Sequence, residues 1–326
     1  MRVLAFTYNY PPYRHIGSEL TTADYLEHLA AIGHEVHVFS EWVQYDYARN
    51  GVRVHQWEWT REFDAKDYDV FITHPELRYK MWPIVQGLPY IALVHNAREE
   101  TLRSLQRAEP DLTIANSHET ARLLPPMRTG RINVLHPPLL ANPKPKDYMH
   151  LPSTRLAYTA IGLSQDKGGD TFRYIAEQNP GLAFRGVKGG YGWQMGRELM
   201  TDNVELVEHT YPEHMDHIYS TARAVLVPSR SESYCKVVAE AMFNGVPVIA
   251  SDLPAIREVG GDHITYVDPE DKDAWCDQVR EMENPRRHTM MADLAYRRGK
   301  ELARETIDTL DTWAELVTWR VQELKG

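Results

Sequence analysis

Two glutamates, Glu232 and Glu240, are separated by seven residues inside the stretch SRSESYCKVVAEAMFNGVPVIASDLPAIREV, residues 229–259. Val237, Val238, Ala241 and Met242 share one side of a helix expected between Lys236 and Asn244, so Glu240 projects from its first turns. Ser233, Tyr234 and Cys235 then stand at the helix start. An anionic group set there meets backbone N–H groups that a first turn leaves free, and two carboxylates can accept hydrogen bonds from vicinal sugar hydroxyls. A solvated helix surface could carry the same two glutamates, so the pair alone leaves both readings open.

Other residue types in suggestive places are fewer. His95 ends the apolar run PYIALVH and His74 follows DVFIT, which puts both at the edge where open α/β sheets bind ligands; a core or capping histidine is the plain alternative. The first strand-to-helix turn reads TYNYPPYRHIGSEL, without the G-x-G-x-x-G of a dinucleotide site, which disfavours NAD and FAD. Its single Gly17 still lets a phosphate approach a helix start, as an ordinary helix entry would also do. The aromatic run Trp42, Tyr45, Tyr47, Trp57 and Trp59 makes a stacking platform if exposed and core if buried. The histidines show no metal-binding spacing and no D-x-D ends a strand, so no protein-held metal is expected.

These residues need elements to hold them. Short β-branched runs at 3–7, 34–40, 52–55, 69–73, 89–95 and 111–115 read as buried parallel strands. A second series follows at 155–161, 182–186, 203–207, 224–228, 246–250 and 264–267. A helix is expected from Ser18 to Ile32, capped by Ser18 and closed by Gly33. The Pro-rich passage from His136 to Pro152 reads as a linker. Two successive α/β series imply two Rossmann-like doubly wound domains facing a central cleft. From Pro285 to Gly326 the chain reads as nearly continuous helix, with Trp313 and Trp319 as packing anchors.

Composition sets the outer limits. A chain of 326 residues predicts two domains, and 43% hydrophobic with 25% charged residues excludes a disordered or collagen-like one. No run approaches the roughly 18–20 apolar residues of a bilayer span, mean hydropathy is -0.49, and the first residues lack a signal-like core, so a cytoplasmic protein is expected. Two cysteines, Cys235 and Cys276, cannot make a disulfide framework. The net charge of -10 falls mostly in the second half, so a phosphate there must be held by a few placed groups.

The stretch from Glu232 onward resembles the E-x7-E donor-binding motif of retaining glycosyltransferases of the GT-B fold, family 4, the glycosyl transferases group 1. The likeness includes the trailing string E-A-M-x-x-G-x-P-V-I-A-S. PPYRHIGSELTTADYLEHLAAIGHEVHVFS resembles the family's opening strand, glycine turn and following strand; NVELVEHTYPEHMDHIYSTARAVLVPS resembles the lead into the motif; and DKGG at 166–169 resembles its lysine turn. The resemblance implies that Glu240 holds the nucleotide ribose and Glu232 a hydroxyl of the transferred sugar. It places Ser233, Tyr234 and Cys235 where the family has G-F-G, contacting sugar and diphosphate through backbone N–H groups next to Lys236. It gives Lys167 the diphosphate, Gly17 the phosphate-facing turn and His95 a sugar contact. One departure stands out. Leu163 occupies the place of an Arg in AIGLSQDKG, and Arg230 or Lys188, with Arg185 nearby, is the expected substitute.

The expected activity is thus retaining transfer of a sugar from a UDP- or GDP-linked donor, with no other cofactor, to a hydroxyl on a saccharide, lipid-linked glycan, metabolite, protein or modified nucleic acid. A non-catalytic GT-B partner subunit and a nucleotide-sugar epimerase are the alternatives. The expected domains are an acceptor-side unit at 1–145, a nucleotide-sugar unit at 146–305, and a terminal helix at 306–326 that crosses back to the first domain.

Overall fold

The computed structural model describes residues 1–12, 16–58, 64–127, 131–139, 156–190, 192–209 and 212–326. The chain divides into two compact units, Met1–Pro138 with Thr306–Gly326, and Leu139–Glu305. The expected boundary between 145 and 146, the linker from residue 140 onward, and Trp59 lie outside the described residues.

The first unit holds a sheet of β1 (Arg2–Thr7), β2 (Glu35–Ser40), β3 (Tyr47–Arg49), β4 (Val52–Gln56), β5 (Val70–Thr73), β6 (Tyr90–Val94), β7 (Leu112–Ala115) and β8 (Arg131–Val134). Its order is β3-β4-β2-β1-β5-β6-β7-β8, parallel except for the β3–β4 pair. β3 and β8 were not anticipated. β3 is three residues long and closes a hairpin through Asn50 (φ 46) and Gly51 (φ 84), the Asn-Gly signature of a tight hairpin turn. Around the sheet lie α1 (Gly17–Ala31), α2 (Arg78–Val85), α3 (Glu99–Arg107) and α4 (His118–Leu123).

Helix α1 starts one residue earlier than expected, and Ser18 does not cap it. The capping position is Ile16, whose aliphatic side chain has no acceptor to offer, and Ser18 inside the helix donates its hydroxyl to Glu19 at 2.6 Å. Its end follows the expectation. Gly33 at φ 96 lets its own N–H reach the Ala30 carbonyl at 3.0 Å and that of His34 reach Leu29 at 3.0 Å, the paired bonds of a glycine C-cap.

The second unit holds β9 (Ala157–Ile161), β10 (Ala183–Val187), β11 (Val204–Val207), β12 (Ala222–Val227), β13 (Val248–Ser251) and β14 (Thr265–Val267), all parallel, in the order β11-β10-β9-β12-β13-β14. Its helices are α5 (Gly169–Gln178), α6 (Pro212–Thr221), α7 (Lys236–Phe243), α8 (Pro254–Gly260), α9 (Lys272–Met282) and the first part of α10 (Pro285–Lys325). Inside α10, Gly299 permits close crossing over the end of α7, since a Cβ there would stand 2.3 Å from the Met242 carbonyl oxygen. Both sheets are doubly wound, with apolar side chains from each strand packed under helices. No described helix is long and apolar enough to cross a membrane.

The end of α10 belongs to the first unit. Leu310, Trp313, Val317 and Val321 join the core around Tyr25 and Leu26. Trp313 is fully buried, its ring 4.9 Å from that of Tyr25 and its indole N–H donating to the Tyr25 carbonyl at 3.0 Å. Trp319 corrects the expectation: it is 45% exposed, because six residues of helix rotate it well off the face that carries Trp313. Trp313→Ala is therefore expected to cost about 3–5 kcal/mol, and Trp319→Ala to stay within about 0.5 kcal/mol. Thermal and urea unfolding of the two variants check the contrast.

Candidate active site

In a doubly wound sheet the crevice opens where the strand order reverses, outside the carboxyl ends of the strands. In the second unit that point lies between β9 and β12. The turn after β9 runs from Gly162 to Gly168 and the segment after β12 runs from Pro228 to Cys235, so topology brings Lys167 and Glu232 to one place. Their side chains meet. Lys167 Nζ donates to Glu232 Oε1 at 2.7 Å and to Oε2 at 2.8 Å. Ser229 Oγ donates to the same Oε1 at 2.8 Å, and the Glu232 side chain is only 7% exposed against 32% for Lys167. The lysine side chain keeps about a third of its surface exposed while it holds a buried carboxylate.

The turn that delivers Lys167 requires glycine. Gly168 has φ 71, and a Cβ there would fall 1.9 Å from the Pro228 carbonyl oxygen, so the β9 turn lies directly on the chain leaving β12. Arg230 locks the same two segments. Its backbone N–H donates to Asp166 O at 2.9 Å, and its guanidinium pairs with both Asp170 oxygens at 2.8 and 2.9 Å while reaching Gln165 O at 2.6 Å. Gln194 holds the neighbouring loop, its Oε1 accepting from Leu163 N at 2.6 Å and Gly189 N at 3.0 Å. Leu163 itself is fully buried against Phe172 and Gly186, so the position that resembles the family's Arg points into the core.

The expected substitutes for that Arg each face a carboxylate. Arg185 pairs with Glu205 at 2.7 Å, Lys188 with Glu208 at 2.8 Å and Arg230 with Asp170. Lys167 differs because its partner is the glutamate of the motif itself.

Glu240 lies on α7, half-buried, where Tyr219 donates its hydroxyl to Oε2 at 2.7 Å. Burial pushes the Glu240 carboxyl up, opposed by Lys236 and by the Tyr219 hydrogen bond. The packed face of α7 is as expected for Val238, Ala241 and Met242, all fully buried, whereas Val237 is half-buried. α7 begins at Cys235, whose backbone is left-handed at φ 73, a conformation shared by Asn50 alone among the described non-glycine residues. The chain therefore keeps a glycine-like backbone where the resemblance expects glycine, with a buried thiol in its place, at a cost on the order of 1–2 kcal/mol. Burial pushes the Cys235 thiol up, and Glu232 adds to the shift. Ser233 is half-buried and Tyr234 is packed in the core at 3% exposure.

In the first unit the order reverses between β1 and β5. His74 follows β5 and His95 follows β6, and their rings lie 4.7 Å apart, with Thr22 Oγ1 at 3.3 Å from Nε2 of each. One hydroxyl on α1 thus links two strand ends. Gly17 is exposed at the first position of α1, and among the described residues nothing beyond its chain neighbours and its own helix backbone lies within 4 Å of where its Cβ would be. Trp57 is buried at 7% exposure, while Trp42 and Tyr45 are 50% and 63% exposed.

Sequence reading missed Tyr219, Ser229, Asp170, Gln194 and Thr22. Asp170 adjoins the DKGG string and Ser229 opens the stretch that holds Glu232, so both were findable there; the others carry no local signal. Among the described residues no group of three or more His, Cys, Asp or Glu is arranged to hold a metal.

The fold is that of solved glycosyltransferases. Sucrose-phosphate synthase from Thermosynechococcus elongatus aligns over 97% of this chain and 99% of its own with a TM-score of 0.79 at 16% identity. Anabaena HepE, solved in complex with UDP and glucose, aligns over 98% and 99% with a TM-score of 0.74 at 16% identity. Residues 194–298 match the family described as Glycosyl transferases group 1. The family match is confined to that segment of the second unit, and the chain has the GT-B fold. The O-antigen chain mannosyltransferase RfbU of Salmonella typhimurium is 31% identical over 84 residues, 26% of this chain and 24% of that protein, so the match spans about a quarter of that relative.

The Arg230–Asp170 pair gives a pH prediction. Arg230, and then Lys272, hold the Asp170 carboxyl at about 2 against an ordinary 3.8. A lowered folded value stabilises the fold above the ordinary value, and the contribution is lost as pH falls from 3.8 toward about 2. Asp170→Asn is expected to lower the urea midpoint at neutral pH and to flatten the acid limb across that window, while leaving the curve above about pH 5 parallel to wild type.

Proposed function

We propose that this protein is a retaining glycosyltransferase of family 4 that moves a sugar from a UDP- or GDP-linked donor to an acceptor hydroxyl. The observation that carries the reading is a partly exposed lysine paired with a buried glutamate, Lys167 on Glu232, at the sheet's reversal point, with Glu240 on the helix that starts beside them. A diphosphate takes the Lys167 ammonium and the first N–H groups of α7, where a helix end favours an anion. The ribose takes Glu240 and the transferred sugar takes Glu232; Ser233, Tyr234 and Cys235 supply backbone contacts. Arg230 shapes the turn rather than meeting the phosphate. Gly17 and His95 take the phosphate-facing and sugar-contacting roles that the resemblance gives them. The solved relative with UDP and glucose supports a uridine diphosphate donor.

The step is a substitution on one face of the sugar. The acceptor oxygen bonds to the anomeric carbon, the bond from that carbon to the phosphate oxygen breaks, and the acceptor proton passes to the departing phosphate. Negative charge grows on the diphosphate as the bond breaks, so Lys167 stabilises the transition state more than the ground state. Positioning supplies the rest, with no strong protein base required.

The two glutamates are expected to fail differently. Glu240→Ala weakens nucleotide diphosphate and nucleotide sugar alike by about 1.5–3 kcal/mol, the worth of a charge-assisted hydrogen bond. Glu232→Ala shifts nucleotide diphosphate binding less than Glu240→Ala does, through the Lys167 that it orders, and lowers turnover, because its sugar contact exists only with the sugar present. Calorimetry of both variants with UDP, GDP and their sugars checks this, and equal losses for the bare nucleotide would reverse the assignment. Because the Glu240 carboxyl is pushed above the ordinary 4.5, nucleotide affinity should fall on acidification at a pH higher than an exposed carboxylate would give. Glu240→Gln should remove that step from the affinity profile.

A further inference from the structure

The carboxyl edge of the first unit carries a second constellation that the donor chemistry does not use. Beyond the ends of β1 and β2 the parallel ladder continues: Glu41 N–H donates to Thr7 O at 3.2 Å and Trp42 N–H to Tyr8 O at 3.0 Å. Ser40 Oγ adds a bond to Tyr8 O at 3.0 Å. Tyr8 and Trp42 are therefore fixed by their backbones, and their rings stack at 5.2 Å with planes 25° apart. Half of Trp42 remains exposed, and Tyr79 on α2 is 65% exposed. Lys80 sits over the Tyr8 ring at 4.8 Å and is ion-paired with Glu41.

A rigid, half-exposed indole backed by a second ring is a stacking surface prepared in advance. A flat apolar ligand face gains by lying on it without ordering the protein. Two ligand classes offer such a face: a nucleobase, and a pyranose with its C–H bonds turned to the ring. Charge separates them. Burial comes first in pushing the Tyr8 hydroxyl up to about 12, and Tyr79, Glu100, Glu41 and Glu76 act on it in the same direction. Glu41 and Lys80 offset each other, and the carboxylates of Glu76 and Glu100 remain within electrostatic reach of Tyr8. A phosphodiester or phosphorylated headgroup is repelled there, whereas sugar hydroxyls find carboxylate acceptors and a Tyr8 hydroxyl that stays protonated.

We propose that Trp42 and Tyr8 form the stacking surface of an acceptor subsite for a neutral, hydroxyl-rich glycan terminus. The proposal rests on the glycosyltransferase reading and names the acceptor class that reading leaves open. It places the apolar face of the terminal sugar on Trp42, with Glu76 and Glu100 as acceptors for its hydroxyls. The same sugar presented free or on a lipid carrier satisfies this chemistry equally.

The test is binding, measured by saturation-transfer NMR and calorimetry on the full chain. The probes are neutral oligosaccharides ending in mannose, glucose, galactose or N-acetylglucosamine, the same sugars carrying a terminal phosphate monoester, and oligothymidylate. Neutral probes are expected to bind, with phosphorylated counterparts at least tenfold weaker. Trp42→Ala should weaken neutral binding at least tenfold, Trp42→Phe should keep it within about threefold of wild type because a ring remains, and Trp319→Ala should change nothing. Equal affinity for a methyl glycoside and for its lipid-carried form assigns the contact to the sugar, as proposed; binding of the lipid-carried form alone overturns it. Tighter binding of phosphorylated sugar or oligothymidylate, or an unaffected Trp42→Ala variant, also overturns it. Separate calorimetry with UDP and GDP keeps the two ideas apart. A protein that binds nucleotide but no neutral glycan refutes the acceptor subsite, and one that binds no nucleotide refutes the donor reading.

Discussion

Right-handed crossovers between parallel strands return the chain to the same edge of the sheet every time, and the rest of this structure depends on that constraint. Each strand-to-helix turn falls on one edge, and the turns on either side of the reversal point are neighbours however far apart they lie in sequence. Lys167 and Glu232, 65 residues apart, form a two-armed ion pair for this reason. The price is steric: the turns approach so closely that Gly168 has no room for a side chain beside Pro228.

Electrostatics then decide which cations remain useful. The second half of the chain carries most of the net negative charge, and Arg185, Lys188 and Arg230 all face carboxylates. Arg230 is the clearest case, since three guanidinium hydrogen bonds to Gln165 and Asp170 would be lost if it turned to another anion. Lys167 is partnered by a carboxylate that sugar hydroxyls can also engage, so its charge can be shared between Glu232 and an incoming phosphate without leaving Glu232 buried and bare. A mobile surface lysine would have to be ordered at the moment of binding. This one is ordered already, by Glu232, which Ser229 holds in turn.

The same geometry serves different chemistry in the first unit. At its reversal point the ends of β5 and β6 carry His74 and His95, joined through Thr22. The ends of β1 and β2 carry the Tyr8–Trp42 stack. Neutral hydrogen-bonding groups and rings suit a ligand recognised by shape and hydroxyls, while the second unit's carboxylates and ammonium suit one recognised by charge and ribose.

Local pattern was enough for the skeleton. Every strand expected from β-branched runs is present, Gly33 ends α1 as its position implied, and α7 lies where the sequence between Lys236 and Asn244 expects a helix, because strand burial, glycine caps and helix faces are set by residues within a few positions of one another. Where pattern failed locally, the cue was small: Asn50-Gly51 signalled the β3–β4 hairpin, and Ser18 lost its capping role to Ile16. The partners were beyond reach. That Arg230 answers Asp170, that Tyr219 donates to Glu240, that Leu163 points into the core, and that Trp42 is exposed while Trp57 is buried all depend on contacts between segments brought together only by sheet order. A side chain's charge and shape are written in its residue type, but which neighbour satisfies it is decided by packing across long separations, and only the tertiary structure holds that information.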